Sequence, residues 1–443
     1  MSRNTGIVTS RLVGAALLIS GFAGPAWAIT PQGGETAVAV ASQGMFTPRI
    51  ARVQDGRSVV VWSQSTLVNA ESHVWARRFD AAGLPQGVPI QVSSHTPGYQ
   101  NEPVVAADGS GNFVVAWASG VIGSDATQEG SGAGIYARRY AADGTPQGAE
   151  FRVNSTTAGD QEQPAVGMSA AGGFVIAWTG EAANGRLDVY LQRYAVGGVA
   201  QGGEIKASNL DGGDASNPSL AMQASGDFVI AWHGHLVIQP IPPEAGGLLG
   251  IVMLDQNSIN VRRYRANGSA KDLGGIAASS LATGLTPRVK PVRSPDVSVN
   301  DSGEYVVAWQ RGEVLNSRDI DIEAQRYSAA GLKRGGVMRL RQTGAAELMA
   351  PAVALRADGS FVLAWERRVG STAVGSPTTY AIQAQDFDAS GNAAAPALLV
   401  NSTIAGRRDS PDTATDGSGN VAVTWRGDGS APPATLYFQR YSP

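Results

Sequence analysis

The chain has 443 residues, no cysteine, 56 glycines and only 16% charged side chains, with 34 basic groups against 37 acidic ones. The slight acidic excess excludes a nucleic-acid partner of the usual basic kind, and the missing cysteine excludes disulfides and a lipid anchor carried on an N-terminal thiol. Many glycines and few charges fit an all-β chain of short strands and tight turns, and a core of this length can bury roughly three quarters of the unfolded surface.

In chain order, the first 28 residues read as a secretory signal peptide. Arg3 and Arg11 give a positive start, Leu12 to Gly24 is an apolar run too short to span a bilayer, and Ala26-Trp27-Ala28 is a small-x-small cleavage pattern. Cleavage near Ala28 would leave residues 29–443 with 32 basic against 37 acidic groups. That mature chain is expected to be secreted, extracellular or periplasmic, monomeric, and not inserted in a membrane. No other segment reaches the roughly 18 consecutive apolar residues of a membrane helix.

From Pro48 onward one ruler repeats. A proline is followed 14 residues later by a tryptophan seven times: Pro48 and Trp62, Pro103 and Trp117, Pro164 and Trp178, Pro218 and Trp232, Pro295 and Trp309, Pro351 and Trp365, Pro411 and Trp425. A fixed internal period marks an array of one supersecondary unit. Each unit reads as four runs. The first follows the proline, as in Pro103-Val-Val-Ala-Ala, and ends in a turn such as Asp108-Gly109-Ser110-Gly111. The second ends on the tryptophan, as in Phe113 to Trp117; the third is Ile135 to Tyr140; the fourth is Glu150 to Asn154. In the second run Phe113, Val115 and Trp117 share one face while Val114 and Ala116 share the other, so a large face can meet a small one.

Four antiparallel strands per unit, seven units and no helical period predict an all-β fold, a seven-bladed β-propeller forming a single domain over residues 29–443. The ends support a closed ring. Thr30 to Glu35 matches Thr145 to Glu150, so the mature chain begins with a fourth strand, and it stops at Pro443 after a third. The strand around Thr36 to Val40 is expected to complete the last blade and leave no open seam, whereas a linear solenoid would need capping repeats.

Length varies mainly between the second and third strands, a loop type that emerges on one face. This variable-loop face is the expected binding surface. The longest such loop, His233 to Ser258, contains Leu248 and Leu249, and the onward connection adds Arg288 and Lys290. It reads as a lid, a partner patch or structural cover. His233 and His235 could present two metal ligands on one side of a strand, although only His73 and His95 accompany them. Trp75 stands at a position that varies between units and is expected to be exposed, the feature that would favour a lectin. Asp125, Glu129, Asp211 and Asp214 could offer oxygens to calcium but lack the twelve-residue EF-hand spacing. Solvated loop acids are the plainer reading, and no cofactor is expected.

The seven tryptophans are read as structural, with indole N–H groups bonded to neighbouring backbone. Arginine precedes the third-strand aromatic six times, at Arg78, Arg139, Arg193, Arg263, Arg326 and Arg440, with Asp386 as the exception. Its buried face demands a partner, expected to be a carboxylate of a blade turn. No Gly-x-Ser-x-Gly elbow, His-Glu-x-x-His helix or P-loop is present, and histidine is too scarce for a nucleophile and base pair. A carboxylate-pair hydrolase leaves no motif and stays open.

Gly173-Phe-Val-Ile-Ala-Trp178, Ile135-Tyr-Ala-Arg-Arg-Tyr140 and the run from Glu150 to Gln161 resemble the repeats of large secreted bacterial surface proteins. The resemblance covers essentially the whole mature chain and implies an extracellular propeller rather than a particular activity. The chain lacks the Gly-Gly-x-Gly-x-Asp calcium tracts that often accompany such repeats. The expected function is therefore a binding module, not an enzyme, with a protein or glycan ligand on the variable-loop face. The alternative is an extracellular carbohydrate-active hydrolase or lyase, or a lectin, using the same face.

Overall fold

The computed structural model describes residues 29–41, 44–66, 71–95, 98–120, 128, 132–208, 213–238, 254–272, 276–279, 292–312, 320–341, 346–370, 379–402, 406–428 and 434–443. These residues form seven antiparallel sheets, six of them up-and-down meanders, and each sheet packs on the next in a ring. Blade 2 is representative, running from an innermost strand at Gln100–Ala107 through Phe113–Ser119 and Gly134–Tyr140 to a two-residue outer strand at Phe151–Arg152. Among the described residues there is no helix, and so none long and apolar enough to cross a membrane.

The ring closes as the chain ends foretell. Thr36–Ala41 pairs antiparallel with Ala434–Ser442, Thr36 opposite Phe438, and supplies blade 7 with its outer strand. In blade 4 the strands run further than the sequence pattern suggests. The second extends to Ile238 and the third starts at Leu254, so the ends of the expected 233–258 loop are paired ladder, His235 opposite Asn257.

The repeat ruler acquires a physical meaning in the pairing register. On the innermost strand of blade 1, Phe46 pairs with Ser63 and Arg49 with Val61, leaving Thr47 and Pro48 together opposite Trp62. Two residues against one is a β-bulge, and the same register shift recurs in all seven blades. The proline therefore sits mid-strand, not at the strand's start. A bulge is one of the few places where a strand tolerates a residue with no N–H to donate.

Alternation on the second strand fills the gaps between blades. Phe113, Val115 and Trp117 pack with Val59, Val61, Val74 and Ala76 of blade 1, while Val114 and Ala116 pack with Phe174, Ile176 and Trp178 of blade 3. All seven repeat tryptophans are buried. Their indole partners differ from expectation. Trp117 donates to Gln100 Oε1 at 2.8 Å, Trp178 to Gln161 Oε1 at 3.0 Å and Trp309 to Glu323 Oε2 at 3.1 Å, side chains rather than backbone. Trp232, Trp365 and Trp425 find no acceptor among the described residues, because Ala215, Leu348 and Arg408 stand where Gln100 and Gln161 stand in their blades.

The repeated arginine is structural, but its partner is a carbonyl. Arg78 donates to Ala142 O at 2.9 Å, Arg193 to Ala266 O at 2.9 Å, Arg263 to Ala329 O at 2.6 Å and Arg440 to Ala81 O at 2.8 Å. Arg139 reaches Gly197 O and Arg326 reaches Ala389 O in the same way. Every one of these acceptors lies in the outer turn of the next blade, so six of the seven junctions carry the same bond. Among the described residues only Arg263 also meets a carboxylate, Asp272, at 2.5 Å. The turn glycine beneath each arginine has φ between +79° and +87°, and a Cβ there would come within 2.5 to 2.8 Å of the guanidinium or its stem. Glycine is thus required twice over, by conformation and by contact. Arg139→Ala should cost about 1 kcal/mol of stability, the usual worth of one such bond, read as a lower urea midpoint with an unchanged slope.

Candidate functional site

The seven bulges surround one cavity of about 370 Å³ on the ring axis, lined by the residues on either side of each proline. Each residue before the proline is in the left-handed region, with φ between +47° and +55°, and none of the seven is glycine. Such a conformation costs on the order of 1–3 kcal/mol for a residue with a side chain. The side chains kept at these strained positions are Thr47, Glu102, Gln163, Asn217, Ser294, Ala350 and Ser410. Six of the seven are polar. Because the bulge lies level with the tryptophan, near the end of the second strand, the cavity sits toward the variable-loop face.

Part of this polarity ties the ring together from within. Glu102 Oε2 accepts the N–H of Gln163 at 2.8 Å, and Gln163 Oε1 accepts that of Asn217 at 3.0 Å, linking blades 2, 3 and 4. Residues after the proline act likewise. Asp412 Oδ2 accepts the N–H of Ile50 at 2.8 Å, closing blade 7 onto blade 1, and Asp296 Oδ2 accepts that of Val353 at 2.7 Å. Asp296 Oδ1 accepts the Ser219 hydroxyl at 2.8 Å.

The cavity's charges are Arg49, Glu102, Asp296 and Asp412. Arg49 donates to its own strand at Pro48 O, 3.0 Å away, and among the described residues forms no ion pair with the three carboxylates. Its positive charge acts on all three from a distance, and burial outweighs it. Burial raises Glu102 and Asp412, and it pushes Asp296 up to about 6, with the negative charge of Asp412 adding to the effect. A carboxyl that holds its proton near pH 6 can donate a hydrogen bond or a proton. Asparagine, glutamine, serine and threonine complete a lining able to pair with hydroxyl groups from several directions.

The residues singled out in the sequence are placed elsewhere. Trp75 is half-buried on the third strand of blade 1, opposite Trp62, and packs into the apolar layer between blades 7 and 1. His233 and His235 do share one side of a strand, their rings 6.5 Å apart, with His233 Nε2 2.8 Å from Asn257 Oδ1. Asp214 stands opposite His235 in the ladder, and its Oδ1 accepts the N–H of Leu187 at 3.1 Å. Among the described residues no three His, Cys, Asp or Glu side chains converge to hold a metal ion. Leu248, Leu249, Arg288, Lys290, Asp125, Glu129 and Asp211 lie outside the described residues.

The cavity residues were missed because the proline drew attention as a spacer while its flanks did not. The signal was present: Arg49, Glu102, Asp296 and Asp412 are charged residues in strands covered on both sides, each next to a repeat proline.

No protein-family model and no curated protein matches the chain. Solved structures are similar to it at low identity. A polysaccharide lyase, Uly1, is 11% identical with a TM-score of 0.51, covering 93% of this chain and 99% of the lyase. A Dyadobacter fermentans protein of unknown function is 11% identical with a TM-score of 0.49, covering 92% of this chain and 99% of its own. A Penicillium chrysogenum α-L-arabinanase complexed with arabinobiose is 12% identical with a TM-score of 0.39, covering 63% of this chain and 92% of the enzyme. At such identities the likeness to the lyase concerns the ring alone.

The raised Asp296 has a testable sign. Its folded pKa of about 6 exceeds the ordinary 3.8, so stability is lost as pH rises from about 4 to about 6 and stays lost above. Asp296→Asn keeps an oxygen for Val353 and an amide for the Ser219 hydroxyl while removing the charge. It should match the wild type at pH 4 and exceed it at pH 8 by on the order of 1–3 kcal/mol, measured by urea unfolding at both pH values.

Proposed function

We propose that the protein is a secreted propeller that binds a saccharide in its central cavity. The observation that carries this reading is the ring of strained bulges, which spends backbone free energy to keep polar side chains, not glycine, around one cavity. Its volume lies within the ~300–1,000 Å³ of small-molecule sites, and carboxylates with amides and hydroxyls are the groups that pair with vicinal sugar hydroxyls. The proline rings between them offer apolar surface to the C–H faces of a sugar. A fold shared with a polysaccharide lyase is compatible with this ligand class. Secretion rests on the signal-peptide pattern of the first 28 residues.

Asp296 favours a second reading, a carbohydrate-cleaving enzyme in which it serves as proton donor and Asp412 as the second carboxyl group. One experiment addresses both. Calorimetric titration of residues 29–443 against a panel of neutral, acidic and amino sugars and their oligomers should find a binder. Glu102→Gln and Asp412→Asn, which keep an oxygen to accept the backbone N–H groups of Gln163 and Ile50, should weaken it at least tenfold without lowering the melting temperature. Release of reducing ends or unsaturated products, lost in Asp296→Asn, would select the enzyme. A flat titration across the panel, or variants that bind like the wild type, would refute the cavity as a saccharide site.

A further inference from the structure

One junction departs from the ring's pattern. Between blades 6 and 7 the outer arginine is replaced by Asp386, and the residue after the inner proline is Ala352, which has no side-chain acceptor for the next blade. No other junction lacks both. Its hairpin end is held instead by Arg356, whose Nε donates to Gly419 O at 2.8 Å, and by Thr415, whose hydroxyl donates to Leu355 O at 3.3 Å. Arg356 is fixed in turn by Asp386 at 2.7 Å.

At the loop end of the same seam stands Glu366. It follows Trp365 on the second strand of blade 6, Phe361–Val369, two residues beyond Ala364, which packs with Trp425 of blade 7. By alternation Glu366 faces blade 7 as well. It is 6% exposed, and its carboxyl makes no hydrogen bond or ion pair with any described residue. Asp409, on the innermost strand of blade 7 and 3% exposed, is near enough for its negative charge to act on Glu366. Arg407 and Arg426 of blade 7 and Arg368 of its own strand bring positive charge. Each is already engaged: Arg407 and Arg426 hold Asp409, the latter at 2.9 Å, and Arg368 meets Glu347 at 3.1 Å. Arg426 also lies 3.7 Å from Asp428. A buried carboxylate with no hydrogen-bonding partner of its own carries a desolvation cost that these shared positive charges offset only in part.

We propose that the seam between blades 6 and 7 is a proton-operated junction, tight while Glu366 is neutral and loosened when Glu366 ionises against Asp409. The inner edge of this seam is the cavity wall formed by Ala350, Ala352 and Ser410, so loosening opens the cavity at its least bulky side. The direction follows from the carboxyl's surroundings: burial, then the charge of Asp409, pushes Glu366 up to about 7 from an ordinary 4.5. The closed seam binds the proton more tightly than the open one. Opening is therefore suppressed in acid and grows as pH rises through neutrality, by about tenfold between pH 6 and pH 8.

Hydrogen exchange measured by mass spectrometry on residues 29–443 tests this. After correction for the intrinsic pH dependence of exchange, peptides spanning 361–370 and 406–415 should open about tenfold more often at pH 8 than at pH 6, while those of blades 2 and 3 change little. Glu366→Gln should abolish the difference, and Glu366→Leu, neutral at every pH, serves if the first variant folds poorly. Seam peptides that track blades 2 and 3, or a rise that persists in the neutral variants, would overturn the proposal. Neither outcome bears on whether the cavity binds a sugar.

Discussion

The architecture depends on one local misfit, two residues of the innermost strand set against a single tryptophan of the next. An extra residue breaks the ladder and bends the strand at the same height in every blade. The indole fills the level where the bulge sits and seals it from the neighbouring sheet. Proline follows because the position has no ladder bond to make. The flanking side chains turn toward the axis, so the lining of the cavity follows from how each strand is kinked.

Around this constraint two concentric sets of bonds hold the blades in register. Inside, carboxylates and amides beside the prolines accept the amides of the next blade. Outside, arginines reach turn carbonyls of the next blade across glycines. Both sets run in the same rotational sense, each blade gripping its successor. The inner set is irregular, because some positions carry Val104, Ala165 or Ala352 and cannot accept. The outer set is regular except at Asp386, where Arg356 takes over the connection from a different turn. Regular bonds serve the scaffold. The irregular inner positions are where the sequence is free to choose groups for another purpose.

The fold was legible because a propeller writes its period into the chain: alternation on the second strand and matching ends specify blade number and closure without any long-range information. Partners of particular atoms were less legible. The arginines at Arg78 and Arg139 demanded an acceptor, but only the curvature of the ring brings a turn carbonyl of the next blade to the guanidinium. Trp75 stands at a position that varies between blades, yet it packs into the apolar layer between blades 7 and 1. The cavity was hidden for a similar reason. Glu102, Asp296 and Asp412 lie far apart in sequence and meet only through the ring's symmetry, and a one-residue bulge reverses the inside and outside assignment that simple alternation gives.

Closure by Thr36–Ala41 against Ala434–Ser442 also sets one pairing apart from the rest. Six sheets can form from neighbouring segments as the chain emerges, but the seventh needs strands from opposite ends. Its pairing spans nearly the whole chain and so carries the largest loop-closure entropy in the molecule. Without it the third strand of blade 7 presents a bare edge, and the circle is an arc whose terminal blades have one uncovered face each. The seam is thereby distributed over both ends of the chain: the outermost strand of the last blade belongs to the segment that precedes the first.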